Sequence, residues 1–288
     1  MIEWYYLIII SALLNAAVFI VQKKLLRVEH ALGFSASMAA TIGLLSLLII
    51  PFANFSLSIF QIFLVVVYSA LLALSYWATA KLFRHGSLST GSPAYNMLPI
   101  IVVVVLAFIF LGENIGAIKY TAIIAMLLAS FVMIMQSNKK RDQIQKRSYI
   151  ITVTVVVLLS GIIDVFLKYS LTYVNIFTFM FFTSVIPPLI IMLLLLRRSI
   201  EYRREALSDS KRLILPLIVI GTLTLGYRIF LYSALAVAPV SLAIPLSSAI
   251  IVITTVFSGG IFFGEHHIAR KTALSAIMLI ASYFLVAS

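Results

Sequence analysis

The chain has 288 residues, of which 63% are hydrophobic and 10% charged, and it carries a formal net charge of +12 at pH 7. A soluble globular domain is closer to half apolar and a quarter charged, so this composition excludes a water-soluble fold and indicates a protein that lies in lipid. The basic residues lie in short gaps between apolar runs, which is the pattern of membrane topology, so the charge does not predict a nucleic-acid partner. The chain contains no cysteine, which excludes disulfides and thiolate metal sites.

Ten runs of about 20 apolar residues are long enough to cross the hydrocarbon core of a membrane as α-helices. Because these runs show no alternation of polar and apolar residues, they exclude a transmembrane β-barrel. The sequence therefore predicts an all-α membrane protein with ten transmembrane helices. We number them spans 1 to 10 and place them near residues 4–26, 33–53, 59–83, 88–111, 116–136, 149–172, 175–196, 213–236, 240–263 and 269–286.

Spans 1, 3 and 4 carry polar and aromatic side chains at mid-membrane depth. An amide such as Asn15 or Asn96 inside a span commonly bonds a neighbouring helix, which is one interpretation. Pro93 and Pro99 in span 4 and Pro245 in span 9 remove backbone donors, so we expect both helices to bend and to expose polar backbone. The clustering favours a second interpretation, a substrate cavity, whose candidate residues in these spans are Asn15, Tyr76, Trp77, Tyr95 and Asn96.

Two glutamates follow glycines at the ends of spans: Glu113 after span 4 and Glu265 after span 9. A carboxylate at such a junction can accept hydrogen bonds from the unpaired amides of a helix N-terminus. Direct contact of either glutamate with substrate is the alternative. We interpret both as structural or gating residues, together with the prolines of spans 4 and 9, Pro93, Pro99 and Pro245.

Asp164 in span 6 and Arg228 in span 8 are ionisable groups inside the membrane, where a charge needs a partner or a task. Each lies about 15 residues into its span and both spans run in the same direction, so the two side chains reach similar depth. Two interpretations are open. In the first, they form an ion pair that only allows both charges to be buried. In the second, Arg228 binds a substrate carboxylate or phosphate, Asp164 faces an amine, and Tyr227 is a further candidate beside Arg228.

Residues 86–131 recur at 238–283, an offset of 152 positions, with fourteen of the 46 aligned positions identical. Near the start of each half the offset is 145, which aligns Asn15 with Ser160. We infer an internal repeat and add Ser247 and Ser248 to the substrate-binding candidates. The aligned pairs at an offset of 152 include Tyr76/Arg228, Tyr95/Ser247, Asn96/Ser248, Pro93/Pro245 and Glu113/Glu265.

The repeat divides the chain into two five-span units, residues 1–143 and 144–288. Because five is odd, the second unit enters the membrane upside down, and such an inverted repeat can present a midplane site to the two faces in turn. Eighteen of the 21 Lys and Arg residues lie in or beside the links that follow odd-numbered spans. The positive-inside rule places these links in the cytoplasm and both termini outside.

The segments Ala80–Glu113 and Ala234–Glu265 resemble the drug/metabolite transporter superfamily, and most of all its EamA branch. The stretch Tyr232-Ser-Ala-Leu-Ala-Val-Ala-Pro-Val-Ser-Leu-Ala-Ile-Pro245 is similar to the junction between the third and fourth helices of that family. The resemblance covers essentially the whole chain. It implies a ten-helix carrier that exports its substrate through a central cavity lined by spans 1, 3, 4, 6, 8 and 9. Many relatives have cytoplasmic termini, so the resemblance and the charge count differ on orientation.

These features favour a secondary transporter that moves a small polar metabolite, an amino acid or a similar amphipathic compound, by alternating access between the two repeats, with export as the direction that the resemblance implies. The alternative is a carrier of the same fold for an anionic substrate, such as a nucleotide sugar, a phosphosugar or a lipid-linked phosphate, in which Lys23, Lys81 and Arg84 join Arg228 in one basic path. The sequence contains no His-Glu-x-x-His or Gly-x-Ser-x-Gly motif, so we expect no enzyme, cofactor or metal site. We expect a monomer in the plasma membrane whose partners are the substrate and lipids.

Overall fold

The computed structural model describes residues 3–26, 31–85, 88–137, 143–197, 213–264 and 268–287. Within these ranges the chain is helical with short connections, and it contains no β-strand. Ten helical segments of this part of the chain are long and apolar enough to cross a membrane. The predicted all-α membrane fold is therefore confirmed.

The helices follow the predicted spans within about two residues, except that span 6 begins at Gln143 rather than near residue 149. Its first turns are polar in sequence, so hydropathy marks only the membrane part of that helix. The first five spans are Trp4–Leu25, Ala31–Leu45 with a 3₁₀ continuation Ser46–Phe52, Ile59–His85, the pair Leu88–Asn96 and Pro99–Leu111, and Ala117–Ser137. The second five are Gln143–Leu171, Ile176–Leu196, Ile214–Val237, Val240–Phe263 and Ile268–Ala287.

The prolines of spans 4 and 9 affect their helices differently. Span 4 is interrupted between Asn96 and Pro99, and Pro99 stands in the first turn of the following helix. There the missing N–H removes no helical hydrogen bond, and the fixed φ of proline suits the helix start. Span 9 instead runs through Pro245 without a break. The expected bend thus takes the form of an interruption in span 4, whereas span 9 stays continuous.

Spans 4 and 9 end in the same backbone conformation. Gly112 and Gly264 have φ angles of 65° and 59°, in the left-handed region where glycine has no steric penalty. Each is the residue that ends its helix, and the two lie 152 positions apart. The repeat seen in the sequence is therefore also present in the backbone.

The two halves interlock through their first spans. Span 1 packs against spans 8 and 9, and span 6 packs against spans 3 and 4. Exchanging the two halves converts the first set of contacts into the second, and spans 5 and 10 pack against each other. This reciprocal arrangement is what two inverted copies related by a pseudo-two-fold axis produce.

Span 9 is the central helix of the bundle. Of its most apolar stretch, 78% is buried, compared with 33–56% in the other spans. The other spans expose large apolar side chains such as Ile59, Phe110 and Leu189 on the outside of the bundle, where the lipid lies. Because span 9 is surrounded by protein, its small polar residues Ser247 and Ser248 lie in the interior.

Candidate functional site

A cavity of about 100 Å³ lies at the centre of the bundle. Its walls come from spans 1, 3, 4, 6, 8 and 9, the same six that the family resemblance implied. Both halves of the chain therefore contribute to it. Its polar and charged lining residues are Asn15, Tyr68, Ser75, Tyr95, Asn96, Ser160, Asp164, Tyr227, Arg228, Tyr232, Ser247 and Ser248.

The cavity brings together eight of the ten residues predicted from the sequence as substrate-binding candidates. Their common location agrees with a single site between the halves, and their role in binding stays a prediction. The eight are Asn15, Tyr95, Asn96, Asp164, Tyr227, Arg228, Ser247 and Ser248.

Arg228 is deeply buried in span 8, with 2% of its surface exposed. Its Nη1 donates a hydrogen bond to Oγ of Ser184 at 3.0 Å, and its Nη2 donates to the hydroxyl of Tyr76. Both acceptors are neutral, and in the described part of the chain no carboxylate forms a salt bridge with the guanidinium. Arginine stays protonated in proteins, so the positive charge of Arg228 is stabilised by hydroxyl groups alone until a solute enters the cavity.

Asp164 lines the same cavity from span 6. It does not form the ion pair with Arg228 that the first sequence interpretation required. Lys168, one turn further along span 6, donates to the backbone oxygens of Leu235 and Ala238, the latter at 3.0 Å, so its ammonium is engaged by the end of span 8. The cavity therefore presents one carboxylate and one guanidinium that do not neutralise each other by contact.

A smaller cavity of about 50 Å³ adjoins the first and shares Asn15, Tyr95 and Tyr227 with it. On span 1 the smaller cavity reaches Gln22, about 10 Å along the helix from Asn15. On span 6 the larger cavity reaches Leu167, near the end of that helix at the opposite face. The two cavities are thus stacked along the membrane normal, with the shared residues between them.

Tyr76 and Trp77, neighbours in span 3, have separate environments. Tyr76 lines the smaller cavity and bonds Arg228 of the larger one. Trp77 is 40% exposed and lines neither cavity, and Nζ of Lys81 lies 5.7 Å from the centre of its ring. Successive helical residues point about 100° apart, so span 3 cannot present both side chains to the same side. Trp77 is therefore placed outside the predicted site.

Sequence reasoning missed several residues at the centre. Tyr68 and Tyr232 bring their hydroxyl oxygens within 3.4 Å of each other. Tyr68 stands eight residues before Tyr76, which places the two side chains about 80° apart around span 3, so helical spacing from Tyr76 did not identify it. Ser184 carried no signal either, because a lone serine in an apolar span is common. The missed residues are Tyr68, Ser75, Ser160, Ser184 and Tyr232.

The other basic residues that the anionic-substrate alternative requires have different environments. Lys23 donates to the backbone oxygen of Phe83 at 2.6 Å. Lys81 lies over the ring of Trp77, and Arg84 is exposed. Among the residues that the structure describes, Arg228 is the only Lys or Arg that lines either cavity.

Glu113 binds the N-terminus of span 9. Its Oε1 accepts a hydrogen bond from N of Val240 at 2.9 Å, and its Oε2 accepts from N and Oγ of Ser241 at 2.9 and 2.6 Å. These charge-assisted bonds satisfy free helix amides and link the end of span 4 in the first half to span 9 in the second. The geometry agrees with the capping role expected for Glu113. Its counterpart Glu265 lies outside the described residues.

Comparisons with known proteins give one family and one fold. The model of the EamA-like transporter family matches residues 2–135 and again residues 147–288, so one match falls on each half. No curated protein is similar enough to count as a match. Twenty-seven chains of solved structures match. One of them, described as "Crystal structure of protein", has a TM-score of 0.68 at 10% sequence identity and covers 96% of this chain and 99% of its own. At that identity the likeness shows the fold alone.

Proposed function

The chain belongs to the EamA-like transporter family, and from this membership we propose that it is a secondary transporter of a small polar metabolite. The substrate is an amino acid or a similar amphipathic compound, and it crosses the membrane through the central cavity by alternating access. The family and the ten apolar helices make the protein a membrane transporter. The substrate class and the mechanism are the proposal, and the cavity supports them.

One observation carries the substrate class: the cavity holds a guanidinium and a carboxylate that are not paired with each other. Charges inside a membrane are costly, so a solute that supplies the complementary charges is stabilised there. A zwitterion offers a carboxylate to Arg228 and an ammonium group to Asp164. The tyrosine rings and serine hydroxyls around them suit a molecule with both apolar and polar parts.

The size and charge of the cavity favour this substrate over the anionic alternative. Its volume is about 100 Å³, whereas pockets for drug-sized ligands occupy roughly 300–1,000 Å³. A nucleotide sugar or a lipid-linked phosphate belongs to the larger class. Such substrates also carry several negative charges, and the cavity has a single cation in the described part of the chain.

The position of Arg228 supports alternating access. Tyr76 and Arg228 are equivalent residues of the two repeats, 152 positions apart, and their side chains bond each other. Two equivalent residues can touch only near the pseudo-two-fold axis that relates them. A site on that axis is equally placed with respect to both halves, so an inverted repeat can expose it to either face of the membrane.

The proposal also covers direction, location and assembly. The family resemblance supports export, and the excess of basic residues in the links after odd-numbered spans supports both termini outside the plasma membrane. A single chain encloses the cavity, which supports a monomeric carrier.

Uptake into proteoliposomes tests the proposal. We expect saturable uptake of at least one of a panel of labelled L-amino acids, above that of protein-free liposomes, and no uptake of glucose 6-phosphate or UDP-glucose. Arg228→Ala should abolish uptake, whereas Arg270→Ala, at an exposed arginine, should leave it unchanged. Uptake of the phosphorylated sugars alone would overturn the proposed substrate class.

A further inference from the structure

The hydroxyl of Tyr76 lies on the guanidinium of Arg228 at the boundary of the two cavities. Tyr76 lines the smaller cavity, Arg228 lines the larger one, and the bond between them joins span 3 to span 8. The other terminal nitrogen of Arg228 donates to Ser184. The two terminal nitrogens form the edge with which arginine binds a carboxylate through two parallel hydrogen bonds. In this structure, neutral hydroxyls occupy both positions on that edge.

A hydroxyl and a carboxylate are unequal partners for a buried guanidinium. The guanidinium already makes charge-assisted bonds to the hydroxyls, but a carboxylate adds the attraction between opposite charges and can accept two parallel hydrogen bonds. Arg228 is almost completely buried, so water solvates its charge poorly and an anion stabilises it more than it would a surface arginine. A carboxylate that enters the larger cavity is therefore expected to replace a hydroxyl on this edge.

We propose that the hydroxyl of Tyr76 is an internal competitor for the anionic group of the transported molecule at Arg228. The inference rests on the proposed function, because it takes Arg228 as the group that binds substrate. By occupying the guanidinium, the hydroxyl lowers the affinity for the anion. A carrier has to release what it binds, and a competitor on the same residue supplies an alternative partner for Arg228 at the moment of release. Binding of the anion also breaks the Tyr76–Arg228 contact between spans 3 and 8.

Calorimetric titration of the full chain, purified in detergent, tests this role with propionate as the anionic probe and propionamide as its neutral isostere. Tyr76→Phe keeps the ring and removes the competing oxygen, so we expect the Kd for propionate to fall roughly 3- to 10-fold. Binding of propionamide should not change. Tyr149→Phe is the matched control, since it also removes a buried tyrosine hydroxyl but at a position that lines neither cavity. This control should bind propionate like the wild type, and Arg228→Gln should not bind it.

Two other roles of the Tyr76 hydroxyl predict different results. A hydroxyl that contacts the anion directly would make Tyr76→Phe bind propionate more weakly, and a purely structural hydroxyl would change Tm without changing Kd. Either result overturns the inference, as does a wild-type protein that does not bind propionate. If Tyr76→Phe does not fold, Ser184→Ala removes the second neutral acceptor and should lower the Kd by itself; an unchanged Kd there counts against the inference. The protein could still take up amino acids in proteoliposomes while Tyr76→Phe shows no gain in affinity for propionate. That result would overturn this inference and leave the proposed function unaffected.

Discussion

At the residue scale, the centre of the protein holds two charges that face one cavity without meeting. Arg228 has the hydroxyls of Tyr76 and Ser184 as acceptors, and Asp164 lines the same cavity from span 6. Separated charges of this kind behave differently from an ion pair when they are removed. Losing one partner of a buried pair leaves the other uncompensated and destabilises the fold, whereas losing an unpaired buried charge relieves a desolvation cost.

The double variant Asp164→Asn/Arg228→Gln distinguishes the two cases. We expect each single variant to lower uptake about tenfold or more, because each removes a charge-assisted bond to substrate. The double variant should take up substrate no faster than the slower of the two single variants, and none of the three variants should have a lower Tm than the wild type. Uptake is measured in proteoliposomes, and Tm is measured by thermal unfolding in detergent. Recovery of transport or of Tm in the double variant would identify a structural ion pair and remove both residues from the site.

The sequence could identify Arg228 and Asp164, because an ionisable residue in an apolar span stands out whatever its direction. It could not give the direction of Trp77. A span in a membrane protein is apolar towards lipid and towards the core, so hydropathy does not show which face is inside. Ser184 was missed because a lone serine in an apolar span is common and carries no signal of its own. The contact between Tyr76 and Arg228 depends on where the pseudo-two-fold axis passes, which only the packing of the helices determines.

At the element scale, charged side chains hold the ends of the helices. Glu113 binds the N-terminus of span 9, and Lys168 binds carbonyl groups at the C-terminus of span 8, so each charge complements the helix dipole it meets. The first half repeats the lysine contact. Lys23 donates to Phe83, which is equivalent to Leu235, the partner of Lys168. The junctions before spans 4 and 9 are thus fixed by equivalent contacts.

Replacing Glu113 by glutamine should destabilise the fold by about 1–3 kcal/mol. Glutamine keeps one acceptor oxygen but loses the charge and the second acceptor, so an amide at the start of span 9 is left without its bond. Chemical or thermal unfolding in detergent measures the change. Glu3→Gln, at an exposed glutamate, is the control and should unfold like the wild type. Equal stability of the two variants would show that the Glu113 contact does not stabilise the junction.

Gly161 allows spans 6 and 4 to approach closely. A Cβ at this position would lie 2.5 Å from Cβ of Val102 and 3.1 Å from the backbone oxygen of Pro99. Gly161→Ala should therefore cost about 1–3 kcal/mol of stability, as overpacking does. Val102→Ala in the same chain should restore only the part of the loss caused by Cγ1 of Val102, 2.7 Å from the added Cβ, because alanine keeps the Cβ at 2.5 Å.

Gly116→Ala is the control for Gly161→Ala, since no atom lies within 4 Å of its added Cβ. It should be neutral by the same unfolding measurement. A Gly161→Ala protein as stable as the wild type would contradict the close packing of spans 4 and 6.

At the scale of the whole molecule, composition and repetition determine the architecture. Ten apolar runs predicted the ten spans, and the recurrence of 86–131 at 238–283 predicted two equivalent halves; the helices and the family match confirm both. The interruption between Asn96 and Pro99 was expected only as a bend. A proline predicts that a helix is disturbed, but it does not predict whether the helix bends or breaks. The position of the cavity could not be derived from the sequence alone, since it depends on how the halves interlock. The lining spans came from the family resemblance.

The most direct test of one site shared by two inverted halves is the accessibility of Ser248, which lines the larger cavity. The chain has no cysteine, so Ser248→Cys provides a single thiol, and Gly116→Cys in the exposed link between spans 4 and 5 is the control. In oriented proteoliposomes we expect a membrane-impermeant thiol reagent to modify Ser248→Cys from either face of the membrane. The reaction should be slower when a transported amino acid is present. The same reagent should modify Gly116→Cys from one face only. Modification of Ser248→Cys from a single face, or from neither, would contradict alternating access to the cavity.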